Sequence, residues 1–366
     1  MKKILIVGIT PPPYGGQAMM TERLVKAKFT ELQVYHVRMA FSKSMKSVGT
    51  FEVGKVLHMF SVVLRALYFR FRYGINTLYY MPGGSNFTPI ARDIFILFFL
   101  RTFFSKTIFH FRAAGVSEIV RNQPYVLRKA ATLIYNKPEL AIQLSALNPD
   151  DGQYFKAKKV SIIPNGLEDA ALPYIPIVRQ SQKIVTILYV GVVQETKGIM
   201  VLLEATKMLL EAGYKIRVNI IGEFNSEKFR VTAINYCRNN NLEDTVNFLG
   251  VKKGEEKWLH FNAADIFCFP SYFESESFGN VAVEAMMFGL PIVATEWRGI
   301  PDIVKDGLSG FLVKIKSADQ LKNKLSLLIE DQKLRIEMGT KGRQIYEETF
   351  QINRFMDSME RALSSV

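Results

Sequence analysis

Two cysteines in 366 residues, Cys237 and Cys268, are too few and too far apart for a disulfide framework. Neither sits in a Cys-x-x-Cys or Cys/His cluster that would hold zinc, so no metal site is expected and both are expected as free thiols in a reducing compartment. Long apolar runs are also missing. The most apolar stretches, 56–73 (VLHMFSVVLRALYFRFRY) and 94–104 (IFILFFLRTFF), are punctuated by arginine and fall short of the roughly 20 uninterrupted residues of a spanning helix. The apolar run after Lys2-Lys3 is too short for a secretory leader and leads into Pro11-Pro12-Pro13. It is expected as a first β-strand, and the protein as cytoplasmic. There is no low-complexity tract and no short internal repeat. No G-x-G-x-x-G follows the first strand, and the second strand lacks a terminal acid for a ribose, which disfavours a nicotinamide or flavin site in this half.

Acidic residues are scarce in one half only. Residues 1–170 hold 23 Lys and Arg against 10 Asp and Glu, whereas residues 171–366 hold 24 of each, so the first half carries the whole net charge of +13. Such asymmetry points to an anionic partner: nucleic acid, an acidic lipid surface or a phosphorylated substrate. Zinc-finger, RRM and basic-zipper patterns are absent and the basic residues are interleaved with apolar ones, which argues against nucleic acid. The segments at 56–73 and 94–104 suit helices lying on a bilayer surface. They equally suit core helices whose arginines reach outward, and sequence alone leaves both readings open.

With 366 residues and 48% hydrophobic content, two domains are expected. Apolar runs at 3–9, 32–37, 77–80, 107–111, 140–143 and 160–163 read as strands, with helices at 17–28 and from about Ser117. Pro164-Asn165-Gly166 is a turn. The pattern resumes with strands at 184–190, 215–221, 246–249, 266–269, 291–295 and 311–313. Helices are expected at 199–211, 227–240, 254–262, 280–288 and from Ala318. Strands separated by helices imply parallel sheets. The division expected is an acceptor-binding domain over 1–168, a linker over 169–182, a second domain over 183–345, and a C-terminal helix over 346–366 packing back on the first domain. Two such units leave a cleft, a usual place for a ligand.

Three constellations could carry chemistry. Gly15-Gly16 lies between the first strand and first helix, where backbone can approach an anion at a helix start, or where a tight turn serves no ligand. Gly191 and Glu195-Thr196-Lys197-Gly198 lie at another strand-to-helix junction. A lysine at a helix N-terminus opposes the macrodipole and becomes sensible if a diphosphate lies between them; otherwise it is a solvated loop lysine. The third is SYFESESFGNVAVEAMMFGLPIVAT, residues 271–295. Glu276 and Glu284 are separated by seven residues and would not share one helix face, so they are not a metal-binding stripe. Phe278-Gly279-Asn280 offers backbone N–H groups to phosphate or sugar oxygens. Glu284, among apolar neighbours, needs a polar partner, which a ribose or an internal ion pair would supply.

Residues 271–294 resemble the signature of family-4 retaining glycosyltransferases of GT-B fold, whose pattern is E-x7-E. Gly15-Gly16, Ile163-Pro164-Asn165-Gly166, Gly191 with Lys197-Gly198, Ile220-Ile221-Gly222-Glu223, and the run from Gly299 to Val313 match other parts of that family in order. The resemblance implies an α/β protein of two Rossmann-like parallel-sheet domains facing across a cleft, moving a sugar from a UDP- or GDP-sugar without metal or other cofactor. The expected acceptor is a glycan or lipid-linked phosphorylated glycan, in assembly of bacterial surface polysaccharide such as lipopolysaccharide, O-antigen or capsule. The expected place is cytoplasmic, peripheral on an anionic membrane surface. A GT-B sugar-nucleotide epimerase is the alternative. By the same resemblance Glu284 would hold the ribose, and Glu276 the transferred sugar. Lys197 and the amides of Phe278, Gly279 and Asn280 would meet the diphosphate, Glu223 would lie near the base, and Gly15 and Gly16 against the donor. His110 would touch the sugar, in competition with Arg112. An arginine usual after the glycine is replaced by Val192, with Arg298 as the substitute cation, and Asp302 stands where glutamate is usual.

Overall fold

The computed structural model describes residues 1–12, 15–39, 41, 53–84, 86–175 and 184–366. Pro13, Tyr14 and the 176–182 part of the expected linker lie outside the described residues. The chain divides into two compact units, 1–165 with 353–366, and 166–352. The divisions fall at Asn165/Gly166 and Ile352/Asn353, a few residues away from the boundaries expected at 168/169 and 345/346, because residues 166–175 and the helix over 332–349 pack with the second unit.

In the first unit the elements run β1 (Lys2–Gly8), α1 (Gly16–Lys26), β2 (Leu32–Arg38), α2 (Val53–Tyr73), β3 (Thr77–Tyr80), α3 (Phe87–Phe103), β4 (Lys106–Phe111), α4 (Val116–Arg121), α5 (Tyr125–Tyr135), β5 (Leu140–Gln143), α6 (Asp151–Tyr154) and β6 (Val160–Ile162). The strands form one parallel sheet in the order β2-β1-β3-β4-β5-β6. The helices at 125–135 and 151–154 were not delimited from sequence, and the segments read as helical at 56–73 and 94–104 extend over 53–73 and 87–103. Apolar residues on most sides of the first of these segments hide its period. Each apolar-basic segment forms a helix that buries one face, through Val62, Val63 and Ala66 on α2 and Ile96, Leu97 and Leu100 on α3.

The second unit runs β7 (Val185–Val190), α7 (Ile199–Glu211), β8 (Ile216–Ile221), α8 (Glu227–Asn239), β9 (Val246–Phe248), α9 (Gly254–Ala263), β10 (Ile266–Phe269), α10 (Asn280–Met287), β11 (Ile292–Thr295), α11 (Ile300–Ile303), β12 (Gly310–Val313), α12 (Ala318–Glu330) and α13 (Gln332–Thr349). Its parallel sheet has the order β12-β11-β10-β7-β8-β9. β7, β10 and β11 are buried along their whole length, which is why they read as continuous apolar runs rather than alternating ones. Serine and aspartate caps start the outer helices: Ser226 accepts from the Phe229 amide, and Asp331 from the Leu334 amide. The last helix, α14 (Ile352–Ser364), packs mainly with the first unit. There the Glu360 carboxylate accepts from the Thr30 amide at 2.6 Å and the Glu31 amide at 2.8 Å, and Lys2 donates to the Ser364 carbonyl.

One buried charge organises the first unit. Asp93 on α3 is fully enclosed and accepts from the hydroxyls of Tyr80 (2.6 Å) and Tyr135 (2.7 Å), the Gly83 amide (2.6 Å) and the Arg92 guanidinium (2.7 Å). It therefore ties the loop after β3 to α3 and α5. Removing the carboxylate leaves two buried hydroxyls, an amide and a guanidinium short of an acceptor. Asp93→Ala is expected to destabilise this unit by about 3–5 kcal/mol. Hydrogen exchange of the β3 and β4 amides in urea measures the loss, with Asp93→Asn, which keeps one acceptor oxygen, losing less.

Candidate functional site

In the second sheet the chain leaves β7 toward β8 on one side and later returns to lay β10 on the other. The two strands pair through Ile266 with Ile187 and Phe267 with Leu188. Their carboxyl ends flank the point where strand order reverses, which is where open α/β sheets bind ligands. Close backbone contact fixes both exits. Gly222 has φ of 152°, and a Cβ there would lie 1.8 Å from the Gly191 carbonyl oxygen. Gly198, at φ of 78°, opens α7, and its Cβ would lie 2.0 Å from the Pro270 carbonyl oxygen. Only glycine fits either position. The Tyr272 amide donates to the Thr196 carbonyl at 2.8 Å, joining the loop after β7 to the loop after β10.

That junction brings two expected site residues together. Lys197 Nζ lies 2.6 Å from Glu276 Oε2, and Ser271 Oγ donates to the same oxygen at 2.8 Å. The ammonium also lies 4.8 Å from the Phe273 ring centroid. Trp297 Nε1 donates to the Phe273 carbonyl at 2.9 Å, and Thr295 Oγ1 to the Ser271 carbonyl. The side chains of Lys197 and Glu276 keep 16% and 10% of their accessible surface, enough for a ligand to reach them. A pair this withdrawn from water gains little net stability, because desolvation offsets the attraction.

Beyond Glu276 the chain turns at Gly279, with φ of 91°, where a Cβ would meet the Phe269 ring at 2.9 Å. α10 then starts at Asn280 without a side-chain cap, a terminus suited to an anion. Phe278 is buried, with its ring 5.7 Å from that of Phe350, so it offers a ligand its backbone only. Glu284 pairs with Lys257 on α9, Nζ to Oε2 2.6 Å. That oxygen is buried, and the Lys257 ammonium is its charge partner. Lys257 had no signal in the sequence: packing of Trp258 and Phe261 on Phe288, centroids 5.8 and 5.7 Å away, carries α9 against the end of α10.

The remaining residues of this unit surround the junction more loosely. Val192, where an arginine was expected, is 37% exposed, and its carbonyl accepts the Tyr189 hydroxyl at 2.9 Å. Glu223 is exposed, and its carbonyl accepts from the Val193 amide at 2.9 Å. The Arg298 guanidinium lies 5.0 Å from the Trp297 ring centroid. Asp302 is in the single turn of α11. Among the described residues no three His, Cys, Asp or Glu side chains gather into a metal-binding set. A cavity of about 350 Å³ lined by Phe288, Ile336, Thr340 and Arg343 contains none of the expected site residues.

In the first unit Gly15 is extended (φ −149°) and precedes Gly16, the first residue of α1, which likewise has no side-chain cap. Among the described residues, chain neighbours aside, no atom lies within 4 Å of a Cβ built on Gly15. His110 is fully buried at the end of β4. Nδ1 meets the Tyr79 hydroxyl at 2.5 Å and Nε2 faces Arg112 at 3.4 Å. Arg112 in turn donates to Asn165 Oδ1 at 2.7 Å. Burial, and then the Arg112 charge, hold the His110 pKa well below its ordinary value, while burial lowers Arg112 to about 10. Of the two candidates, Arg112 retains slight exposure and His110 has none.

Residues 176–345 match the sequence model of the family described as glycosyl transferases group 1. A D-inositol 3-phosphate glycosyltransferase of Corynebacterium aurimucosum is 36% identical over 156 residues, 42% of this chain and 37% of that protein. The amylovoran biosynthesis glycosyltransferase AmsK of Erwinia amylovora is 28% identical over 256 residues, 65% of this chain and 61% of that protein. The matched stretches thus span less than two thirds of either relative. The crystal structure of HepE from Anabaena in complex with UDP superposes with a TM-score of 0.73 at 18% identity, covering 100% of both chains. That likeness shows the fold, the GT-B architecture with one parallel sheet per unit.

His110 makes the first unit sensitive to acid. Below pH 6.5 the unfolded chain takes up a proton on this imidazole that the folded chain refuses. Stability is therefore present above 6.5 and falls as pH drops, by up to about 1.4 kcal/mol per pH unit. The unfolding free energy of His110→Asn, measured between pH 6.5 and 5, is expected to show a correspondingly flatter slope.

Proposed function

We propose that this chain is a retaining glycosyltransferase that takes a sugar from a UDP- or GDP-sugar. The observation that carries the reading is the Lys197–Glu276 pair at the carboxyl ends of β7 and β10, beside the uncapped start of α10. The match of residues 176–345 supports it, since that stretch contains the whole cluster. The relatives reported above are named as transferases, and the epimerase alternative finds no support among them.

The donor diphosphate would lie against the α10 N-terminus with Lys197 as its counter-charge. Glu276 would then exchange part of its ion pair for hydroxyls of the transferred sugar, held in register by Ser271. Glu284, partly exposed, would accept from the ribose hydroxyls, and Lys257 would keep its charge balanced. In the transfer step the acceptor hydroxyl oxygen bonds to the anomeric carbon on the face from which the diphosphate leaves. The carbon–oxygen bond to phosphate breaks, and the hydroxyl proton passes to a phosphate oxygen. Stabilising the charge on the departing diphosphate is the largest task, and it falls to Lys197 and the α10 amides. No metal is assigned to the step. The acceptor we assign is a glycan, free or carried on a phosphorylated lipid, in the assembly of a bacterial surface polysaccharide. The name of AmsK and the basic first half of the chain support that assignment.

Titration calorimetry with UDP, GDP and ADP tests the donor site, UDP first because HepE was crystallised with it. The favoured diphosphate is expected to bind, and binding of none of them would remove the reading. Glu284→Ala should weaken that binding by about 1.5–3 kcal/mol, the loss of a charged acceptor. Lys197→Ala should lower release of nucleotide diphosphate in the presence of acceptor by at least about tenfold, measured at a temperature where the variant, destabilised by the unpaired Glu276 carboxylate, is still fully folded. Full activity in that variant would take Lys197 out of the site.

A further inference from the structure

The outer side of α2 is apolar where a solvent-facing helix would be polar. Leu57, Phe60, Leu64, Tyr68 and Phe71 are 48–68% exposed. Their spacing places them within an arc of about 80° on the helix, opposite the face that buries Val62, Val63 and Ala66. From Leu57 to Phe71 the stripe runs about 21 Å along the helix axis. It continues onto α3, whose Phe98, Phe99 and Phe103 are also exposed. Aromatic contacts bridge the two helices: Phe60 meets Phe95 at 4.8 Å and Phe71 meets Phe103 at 5.8 Å, centroid to centroid. Scattered exposed apolar residues are ordinary, but a continuous aromatic and aliphatic band is not.

We propose that this face of α2 and α3 docks on an anionic lipid bilayer. Charge complementarity selects that occupant. Residues 53–73 contain Lys55, Arg65, Arg70 and Arg72 and no Asp or Glu, and Arg65 and Arg72 are exposed along one margin of the stripe. Arg70 is turned inward, its Nε donating to the Phe103 carbonyl at 2.8 Å. A second copy of the chain would bring the same positive margin against itself, whereas acidic headgroups neutralise it. Among the described residues no helix is long and apolar enough to cross a membrane. The stripe therefore lies in the interface plane, with apolar side chains among the upper acyl carbons and arginines at the headgroups. Aromatic rings at Phe60, Tyr68 and Phe71 suit that depth.

Vesicle flotation of the full chain tests this independently of the glycosyl-transfer reading, because nucleotide binding is measured separately. Vesicles containing a third phosphatidylglycerol are expected to carry the protein, and pure phosphatidylcholine vesicles are not. Raising salt should weaken the association without abolishing it, since the apolar part is unscreened. Arg65→Gln with Arg72→Gln should lower partitioning roughly 30-fold, the loss of two surface charges. Leu57→Gln with Leu64→Gln should lower it by more than about tenfold. Both pairs replace exposed side chains, and far-ultraviolet circular dichroism with thermal unfolding of each checks that the chain is folded. If either pair fails to fold, the other decides. No flotation with anionic vesicles, or flotation that neither pair reduces, overturns the proposal. So does a dimer in analytical ultracentrifugation that the leucine variants dissociate, which would make the stripe a self-association surface.

Discussion

The candidate site depends on how closely backbone can approach backbone at the ends of β7, β8 and β10. Gly222 sits on the Gly191 carbonyl and Gly198 on the Pro270 carbonyl, each nearer than any side chain would permit. These contacts set the height at which the loops leave the sheet. Lys197 immediately precedes Gly198, and Glu276 follows Pro270, the partner of Gly198 in that contact, by six positions. A shift of the Gly198 turn by one ångström would open the 2.6 Å gap between ammonium and carboxylate or close it to a clash. The chemistry is thus positioned by main chain packed on main chain. Side-chain packing, which relaxes more readily, has less to do with it.

Two carboxylates in this molecule show how surroundings decide a role. Asp93 is saturated: tyrosine hydroxyls, an amide and a guanidinium take up its lone pairs, and no solvent reaches it. Such a group organises structure and has nothing left to offer a ligand. Glu284 has one cation within 2.6 Å, and its side chain keeps some exposure. A single cation leaves carboxylate lone pairs that a hydroxyl-bearing ligand can use. Glu276 lies between the two. It is held by Lys197 and Ser271 but remains reachable.

Much of this was legible in the sequence wherever one local signal sufficed. β7, β10 and β11 announce themselves as unbroken apolar runs, and Gly198 and Gly279 mark their turns by composition. The spacing of Glu276 and Glu284 is a matter of counting. What was illegible needed tertiary information. Lys257 lies in a helix with no motif of its own, and it reaches Glu284 because Trp258 and Phe261 of that helix stack on Phe288. Phe278 is a packing residue whose ring turns toward Phe350, which a motif cannot distinguish from a contact residue. His110 sits at a strand end that sequence leaves ambiguous, and its enclosure comes from Tyr79 and Arg112 on either side. The division after Asn165 in place of residue 168 reflects packing of the following segment, for example the Tyr346 hydroxyl donating to the Leu167 carbonyl.

The apolar-basic segments show why a sequence reading framed as core or surface can be too coarse. α2 is apolar around most of its circumference, so its periodicity is weak and either answer is defensible from composition. The structure divides the helix lengthwise: Val62, Val63 and Ala66 enter the core while Leu57, Leu64 and Phe71 stay outside. Burial of one face cannot explain the other. A helix that only had to close the first unit could carry polar residues along its outer stripe at no cost in packing, and would gain solubility by doing so. Five large apolar side chains in register on that outer stripe, edged by arginine and free of acids, therefore require a cause outside the core.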